Sequence, residues 1–258
     1  MNVLNREGNF NLHTHTKYCD GNNEPEQLVQ RALELGFIRL GFSGHEYASY
    51  DLDVCMTPES TLAYREDVLR VREKYKNRIR IDLGIERDYY GPGEDYPYDY
   101  VIGSVHYVYK NGEYICVDDT PERMEEGCRK CYGGDYRALV EDYYRCVGDV
   151  VRKTGAQIVG HFDIVTKFNR GNRFFDEQSP WYKKAALSAL AAVSAFHPVI
   201  EINTGAMARG YRERPYPDRF ILEEADRLHL PILLSSDCHD ADYLDYGFKE
   251  ILGELPLE

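Results

Sequence analysis

The sequence has no surplus of positive charge. Its 31 Lys and Arg stand against 44 Asp and Glu, a formal net charge of -13, so the chain repels polyphosphate backbones and nucleic acid is not expected as a partner. It has no apolar run approaching the roughly 20 residues that span a bilayer, so no membrane partner is expected either. No secretory leader opens it, and its seven cysteines (Cys19, Cys55, Cys116, Cys128, Cys131, Cys146, Cys238) are an odd number. Together these point to a reducing, cytoplasmic setting rather than a disulfide framework. Cys128-x-x-Cys131 has no second pair at zinc-site spacing, so these two are read as ordinary free thiols. No internal repeat or low-complexity linker divides the chain, and its 258 residues suit one α/β domain over residues 1–258.

What is present is alternation. Short β-branched or aliphatic runs occupy residues 9–15, 38–43, 79–86, 100–106, 157–161, 199–204 and 232–237. Between them, residues 26–35, 61–75, 136–153, 182–196 and 219–229 carry apolar side chains at the three-and-four spacing of a buried helix face. Seven strands joined by helical crossovers predict a parallel α/β barrel. Residues 89–99, rich in Gly and Pro, and 167–180, rich in charge, Asn and Gly, read as long loops.

The reactive side chains fall at the strand ends. His13 and His15 close the first run, His45 follows the second by two residues, Glu86 ends the third, His106 the fourth and His161 the fifth, while Asp237 and His239 end the seventh. In a parallel barrel every strand's C-terminal end faces one rim, so these groups are predicted to converge there. The two imidazoles of His13-Thr14-His15 lie on one strand face, where both can bind one ion. Six of the eight histidines share this placement, which packing does not explain. His197, before Pro198, and His229, at a helix end beside the carbonyl dipole, are read as structural.

Mixed imidazole and carboxylate donors without thiolates suit Zn, Fe, Mn or Co, and a carboxylate such as Glu86 or Asp237 can bridge two ions. Ions roughly 3.5 to 4 Å apart acidify a shared water and stabilise charge on a phosphoryl group, so no Ser or Cys nucleophile is required.

In order along the chain stand Asn11-Leu12-His13-Thr14-His15-Thr16-Lys17-Tyr18-Cys19-Asp20-Gly21, Gly44-His45, Gly84-Ile85-Glu86, Gly103-Ser104-Val105-His106, Gly160-His161 and Ser236-Asp237-Cys238-His239. This series resembles that of the PHP (polymerase and histidinol phosphatase) superfamily. The resemblance implies a distorted (β/α)7 TIM-like barrel and a trinuclear site of divalent transition metals such as Zn, Fe or Mn. By position, one ion would take His13, His15, Glu86 and Asp237, a second Glu86, His106 and His161, and a third Asp20, His45 and His239. Asp20 enters only through this resemblance; in Cys19-Asp20-Gly21 it also reads as a turn residue.

Gly84-Ile85-Glu86-Arg87-Asp88-Tyr89, Ser104-Val105-His106, Gly160-His161-Phe162-Asp163 with Lys167-Phe168, and Glu201-Ile202-Asn203-Thr204-Gly205 with Arg209 and Tyr211 are most similar to the histidinol-phosphatase branch. That likeness implies hydrolysis of L-histidinol phosphate to L-histidinol and phosphate, a late step of histidine biosynthesis, by a hydroxide bridging two ions. Glu86, Asp237, His239 and Arg209 are the catalytic candidates. Arg209, Lys167, Arg170 and Tyr211 are the substrate-binding candidates; the alternative for each cation among them is a solvated surface position. Glu46, Asp88, Tyr89 and Tyr211 are available to face the ammonium and imidazole of such a substrate.

Three other readings stay open. The substrate is another phosphate monoester, of a sugar, nucleotide or tyrosine; the chain is an amidohydrolase-type barrel; or it is a non-catalytic metal-binding module. Amidohydrolase barrels also begin with H-x-H, but they usually bridge their metals with a carboxylated Lys, and here Glu86 stands at the third strand end and no Lys at any.

Overall fold

A computed structural model describes residues 1–255. The elements are β1 (Phe10–Asn11), α1 (Pro25–Glu34), β2 (Arg39–Phe42), α2 (Pro58–Tyr75), β3 (Arg80–Asp88), β4 (Tyr100–Ser104), β5 (Tyr107–Lys110), β6 (Glu113–Cys116), α3 (Pro121–Tyr132), α4 (Tyr136–Thr154), β7 (Ile158–Val159), α5 (Pro180–Ser194), β8 (Val199–Asn203), α6 (Gly205–Ala208), α7 (Arg219–Arg227), β9 (Ile232–Ser235) and α8 (Phe248–Glu254). The large sheet runs β1-β2-β3-β4-β7-β8-β9, with every neighbouring pair parallel. Bridges from Thr14 to Cys238 and from Val3 to Ile232 bring its two edges together. The result is the nearly closed seven-stranded α/β barrel expected from the alternation. It is distorted because β3 passes to β4 through the Gly- and Pro-rich loop, without a helix.

Several helices begin where the sequence supplies partners for the first free N–H groups. Thr57, Thr120, Asp135 and Asp218 cap α2, α3, α4 and α7 by accepting from backbone N–H groups, and Pro occupies the first turn of α1, α2, α3 and α5. His229, read as structural, adopts φ 56° just beyond α7 and is exposed, as is His197.

The barrel interior is narrow and filled by Leu12, Tyr100, Ile102, Ile158 and Leu233. Tyr100 lies across it, donating its hydroxyl to the carbonyls of Leu12 (2.5 Å) and Phe42 (3.0 Å). Its ring occupies the space that side chains at positions 41 and 84 would need, which is why both are Gly. Larger apolar clusters pack the helices against the outer face of the strands.

The β5–β6 hairpin and helices α3, α6 and α8 were not anticipated. β5 and β6 form an antiparallel hairpin whose turn, Asn111-Gly112, takes φ of 54° and 87°, the positive pair that Asn-Gly favours. Helix α3 follows it and buries only Met124 and Cys128, too few residues to mark a helical period. Cys128 and Cys131 lie on α3 as free thiols. The first and fifth runs form shorter strands than expected: His13 and His15 stand beyond β1 on an extended segment pinned by His15 N–H to the Cys238 carbonyl (2.8 Å).

Candidate metal centre

The nine donor residues named from the sequence, His13, His15, Asp20, His45, Glu86, His106, His161, Asp237 and His239, meet at the C-terminal rim in four overlapping groups, each able to hold an ion. Strand alternation turns Glu86 into the barrel mouth while its neighbour Ile85 packs in the outer core. Thr14 is likewise turned away from the flanking imidazoles, donating to the Gly41 carbonyl.

The distances suit small divalent ions. His13 Nε2 lies 3.3 Å from Glu86 Oε2 and 3.5 Å from Asp237 Oδ1; His15 Nε2 lies 3.5 and 3.2 Å from the same two oxygens. A tetrahedron with bonds of about 2.0–2.2 Å has edges of about 3.3–3.6 Å. Glu86 Oε1 lies 3.0 Å from His161 Nε2 and 3.5 Å from His106 Nε2, and those two nitrogens are 3.2 Å apart. Asp20 reaches His239 Nε2 at 2.9 Å, His15 Nδ1 at 3.5 Å and His45 Nε2 at 3.7 Å. His13 Nε2, His15 Nε2, Asp20 Oδ1 and Glu86 Oε2 are buried with no hydrogen-bond partner. Polar atoms so placed are costly unless a cation is shared among them.

Electrostatics reinforce this. Burial opposes charge on Glu86, yet His13 and His45 hold its carboxyl well below the usual range. Burial likewise opposes charge on Asp237, yet His13 and Arg209 hold its carboxyl well below that range. Burial, with His239 and His45 nearby, pushes the His15 imidazole down to about 3. Ionised carboxylates and a neutral imidazole are the ligand-competent forms; at His13, His45 and His106 burial opposes charge but the facing carboxylates hold the imidazoles up, so an ion bound there would have to displace their protons. Asp237 also adopts φ 47°, an uncommon conformation for a residue other than Gly.

Above the donors opens a cavity of about 380 Å³. Arg209 lies on its wall, donating to Asp237 Oδ2 (3.1 Å) with its other terminal nitrogen 2.9 Å from His239 Nδ1. Lys167 and Tyr211 line it too, the ammonium 5.1 Å from the Tyr211 ring centre. Arg170 does not: it is exposed and ion-paired with Glu213, because its loop carries the side chain outward. Tyr89 is also off the wall and donates to Asp149. Glu46 is taken up by Arg87 and the backbone N–H of Glu94.

Several residues contribute in ways not read from the sequence, where Asp88 was offered only to the substrate's ammonium and imidazole. Glu201 accepts from His13 Nδ1 and from the His161 backbone N–H, both at 2.6 Å. Asp88 accepts from the His106 backbone N–H (2.8 Å) and from the Tyr50 hydroxyl (2.7 Å). Asp51, Asp118, Tyr50 and Tyr107 complete the far wall. In the sequence Glu201 stood only within the Glu201-Ile202-Asn203-Thr204-Gly205 series that resembles the histidinol-phosphatase branch, with no role attached to it.

Comparison with known proteins agrees with this geometry. The PHP domain model matches residues 11–205. A "Probable histidinol-phosphatase" of Deinococcus radiodurans is 29% identical over 255 residues, covering 94% of this chain and 91% of that one. The histidinol-phosphatase of Bacillus subtilis is 26% identical over 263 residues, covering 93% and 97%. The crystal structure of hisK from Listeria monocytogenes superposes with a TM-score of 0.82 at 22% identity, covering 93% of this chain and 99% of that one. Histidinol phosphate phosphatase from Lactococcus lactis, solved with Zn, L-histidinol and phosphate, gives a TM-score of 0.68 at 21% identity, covering 95% and 92%. These two structures share the fold. With three quarters of its length matched by the domain model and its donor residues gathered at the barrel mouth, the chain belongs to the PHP domain family.

Proposed function

We propose that this protein is a metal-dependent phosphatase that hydrolyses L-histidinol phosphate to L-histidinol and phosphate. The observation that carries the reading is the meeting of nine imidazole and carboxylate donors beneath a cavity whose wall also presents Arg209 and Lys167. The printed names of relatives matched along more than nine tenths of this chain point the same way.

We assign three ion positions: His13, His15, Glu86 and Asp237; Glu86, His106 and His161; and Asp20, His45 and His239. Divalent ions bound there supply an acidified water and an electrophile for the phosphoryl oxygens. The remaining work belongs to the side chains. Glu86 presents one oxygen to each of two donor groups, as a bridging carboxylate does. Arg209 offers a guanidinium that can grip phosphate oxygens, and its bond to Asp237 holds it at the mouth. Lys167 adds a second positive charge, its ammonium 3.7 Å from Asp118 Oδ2. Asp51, Asp118, Tyr50 and Tyr107 form an acidic, aromatic wall suited to an ammonium and an imidazole. Arg170 has no part in this assignment.

The test is metal analysis of the purified protein alongside phosphate release after reconstitution with Zn, Mn or Fe. The substrates are L-histidinol phosphate, sugar phosphates, nucleotides and phosphotyrosine. We expect kcat/KM for histidinol phosphate to exceed the others by at least about 100-fold, a discrimination of the size that buried polar contacts provide. Equal rates on all would make the chain a general phosphoesterase. No hydrolysis at all would make it a non-catalytic metal-binding module.

A further inference from the structure

Glu201 is fully buried at the centre of the metal-centre region, yet it belongs to none of the donor groups able to hold an ion. Both of its oxygens are used on protein hydrogens. Oε1 accepts from His13 Nδ1 (2.6 Å) and from the Ser235 hydroxyl (2.5 Å). Oε2 accepts from the His161 backbone N–H (2.6 Å) and from the Asn203 amide (3.0 Å). A carboxylate has about four acceptor positions, and all are taken.

We infer that Glu201 is a positioning residue that fixes the tautomer and direction of His13 and the backbone of His161, and so sets the affinity of the centre for its ions. The inference rests on the reading of the nine donors as a metal centre. A neutral imidazole carries one N–H. With that hydrogen on Nδ1 and held by Glu201, the Nε2 lone pair must point the other way, toward Glu86 Oε2 at 3.3 Å and Asp237 Oδ1 at 3.5 Å. Lone pairs facing lone pairs repel unless a cation lies among them. Glu201 thereby holds His13 in an arrangement that a cation placed among these atoms relieves. The same carboxylate tethers the start of the turn after β7, where His161 leaves the strand for Glu86. A carboxylate behind a ligating imidazole orients the ring and raises its basicity, and its loss typically costs about 10- to 100-fold in metal affinity.

A purely structural role would also explain four hydrogen bonds that link β7, β8, β9 and the segment after β1, so the test must separate the two. Zn²⁺ alone is titrated into metal-free wild type, Glu201→Gln and Ser235→Ala at buffered free concentration, with the unfolding midpoint of each metal-free protein measured beside it. The amide of Glu201→Gln keeps the shape but cannot accept four hydrogen bonds. We expect its tightest Zn²⁺ equivalent to weaken by about 10- to 100-fold. Ser235→Ala, which leaves the contact to His13 intact, should bind within about threefold of wild type. If Glu201→Gln binds Zn²⁺ as tightly as wild type, or if both variants lose stability in the metal-free state and neither loses affinity, Glu201 is structural and the inference is overturned. Should Glu201→Gln fail to fold, the imidazole ¹⁵N spectrum of Zn-loaded wild type decides. His13 carrying its hydrogen on Nδ1 supports the inference, and a hydrogen on Nε2 overturns it. Wild type that binds no Zn²⁺ at all would instead remove the metal-centre reading, and this inference with it.

Discussion

Asp20 Oδ2 and His239 Nε2 lie 2.9 Å apart across 219 residues of sequence. The contact joins the turn after β1 to the segment after β9, the two edges that close the barrel. It also completes a donor group with His15 and His45.

Removing that group's carboxylate should therefore empty one ion position and leave the others. Asp20→Ala is expected to lower bound metal by about one equivalent and kcat by more than about 100-fold, since a metal-held phosphoryl oxygen loses its charge partner. Elemental analysis and steady-state kinetics check both. Full metal content with wild-type kcat would return Asp20 to a turn residue.

Arg209 touches two donor residues without belonging to the donor groups. Arg209→Ala should leave metal content unchanged and reduce kcat/KM by about 100- to 1000-fold, the range for losing one hydrogen-bond donor to a developing anion. Inorganic phosphate should bind it more weakly as a product inhibitor. Unchanged kinetics would remove Arg209 from the site.

The glycines beside Tyr100 are a packing requirement. A Cβ at Gly84 overlaps the Tyr100 ring, and overpacking of a filled interior costs about 1–3 kcal/mol. Gly84→Ala is thus expected to lower the free energy of unfolding measured in urea by that amount. Tyr100→Phe, which strips the hydroxyl from the Leu12 and Phe42 carbonyls, should lower it by about 1–3 kcal/mol.

Glu26 staples α1 to α2. Hydrogen bonds from Lys74, the Tyr75 hydroxyl (3.0 Å) and Arg70 (3.2 Å) hold its carboxyl down to about 2. A carboxyl depressed by folding contributes stability that is full above its unfolded value and is lost as pH falls toward the folded one. Here that window runs from about 4.5 to about 2. Urea unfolding of wild type and Glu26→Gln should differ at pH 7, with wild type more stable, and converge as pH falls through the window. A gap that widens in acid would contradict the assignment.

Much of the fold and of the donor set could be read from the residues alone. Strand and helix periods depend only on which side chains face inward, so the seven runs and their alternation appear directly in the order of apolar residues. The donors were legible because parallel strands carry all their C-terminal ends to one rim, which turns a position in the sequence into a position in space. The hairpin of β5 and β6 was missed, because its short polar strands resemble a loop and only Asn111-Gly112 marks the turn between them.

Other features were settled only when the chain closed. The Glu201-Ile202-Asn203-Thr204-Gly205 series carries a resemblance but no role for Glu201; that role comes from meeting His13, 188 residues away, across a barrel whose stagger is set by all seven strands. Arg170 and Arg209 look alike in the sequence, both cations just after a strand, yet one pairs with Glu213 in solvent and the other with Asp237 at the mouth. Sequence period determines which face a side chain occupies. The direction in which a long side chain leaves a loop, and the partner it finds, depend on the three-dimensional closure of the barrel, because those contacts join segments whose spacing no local pattern encodes.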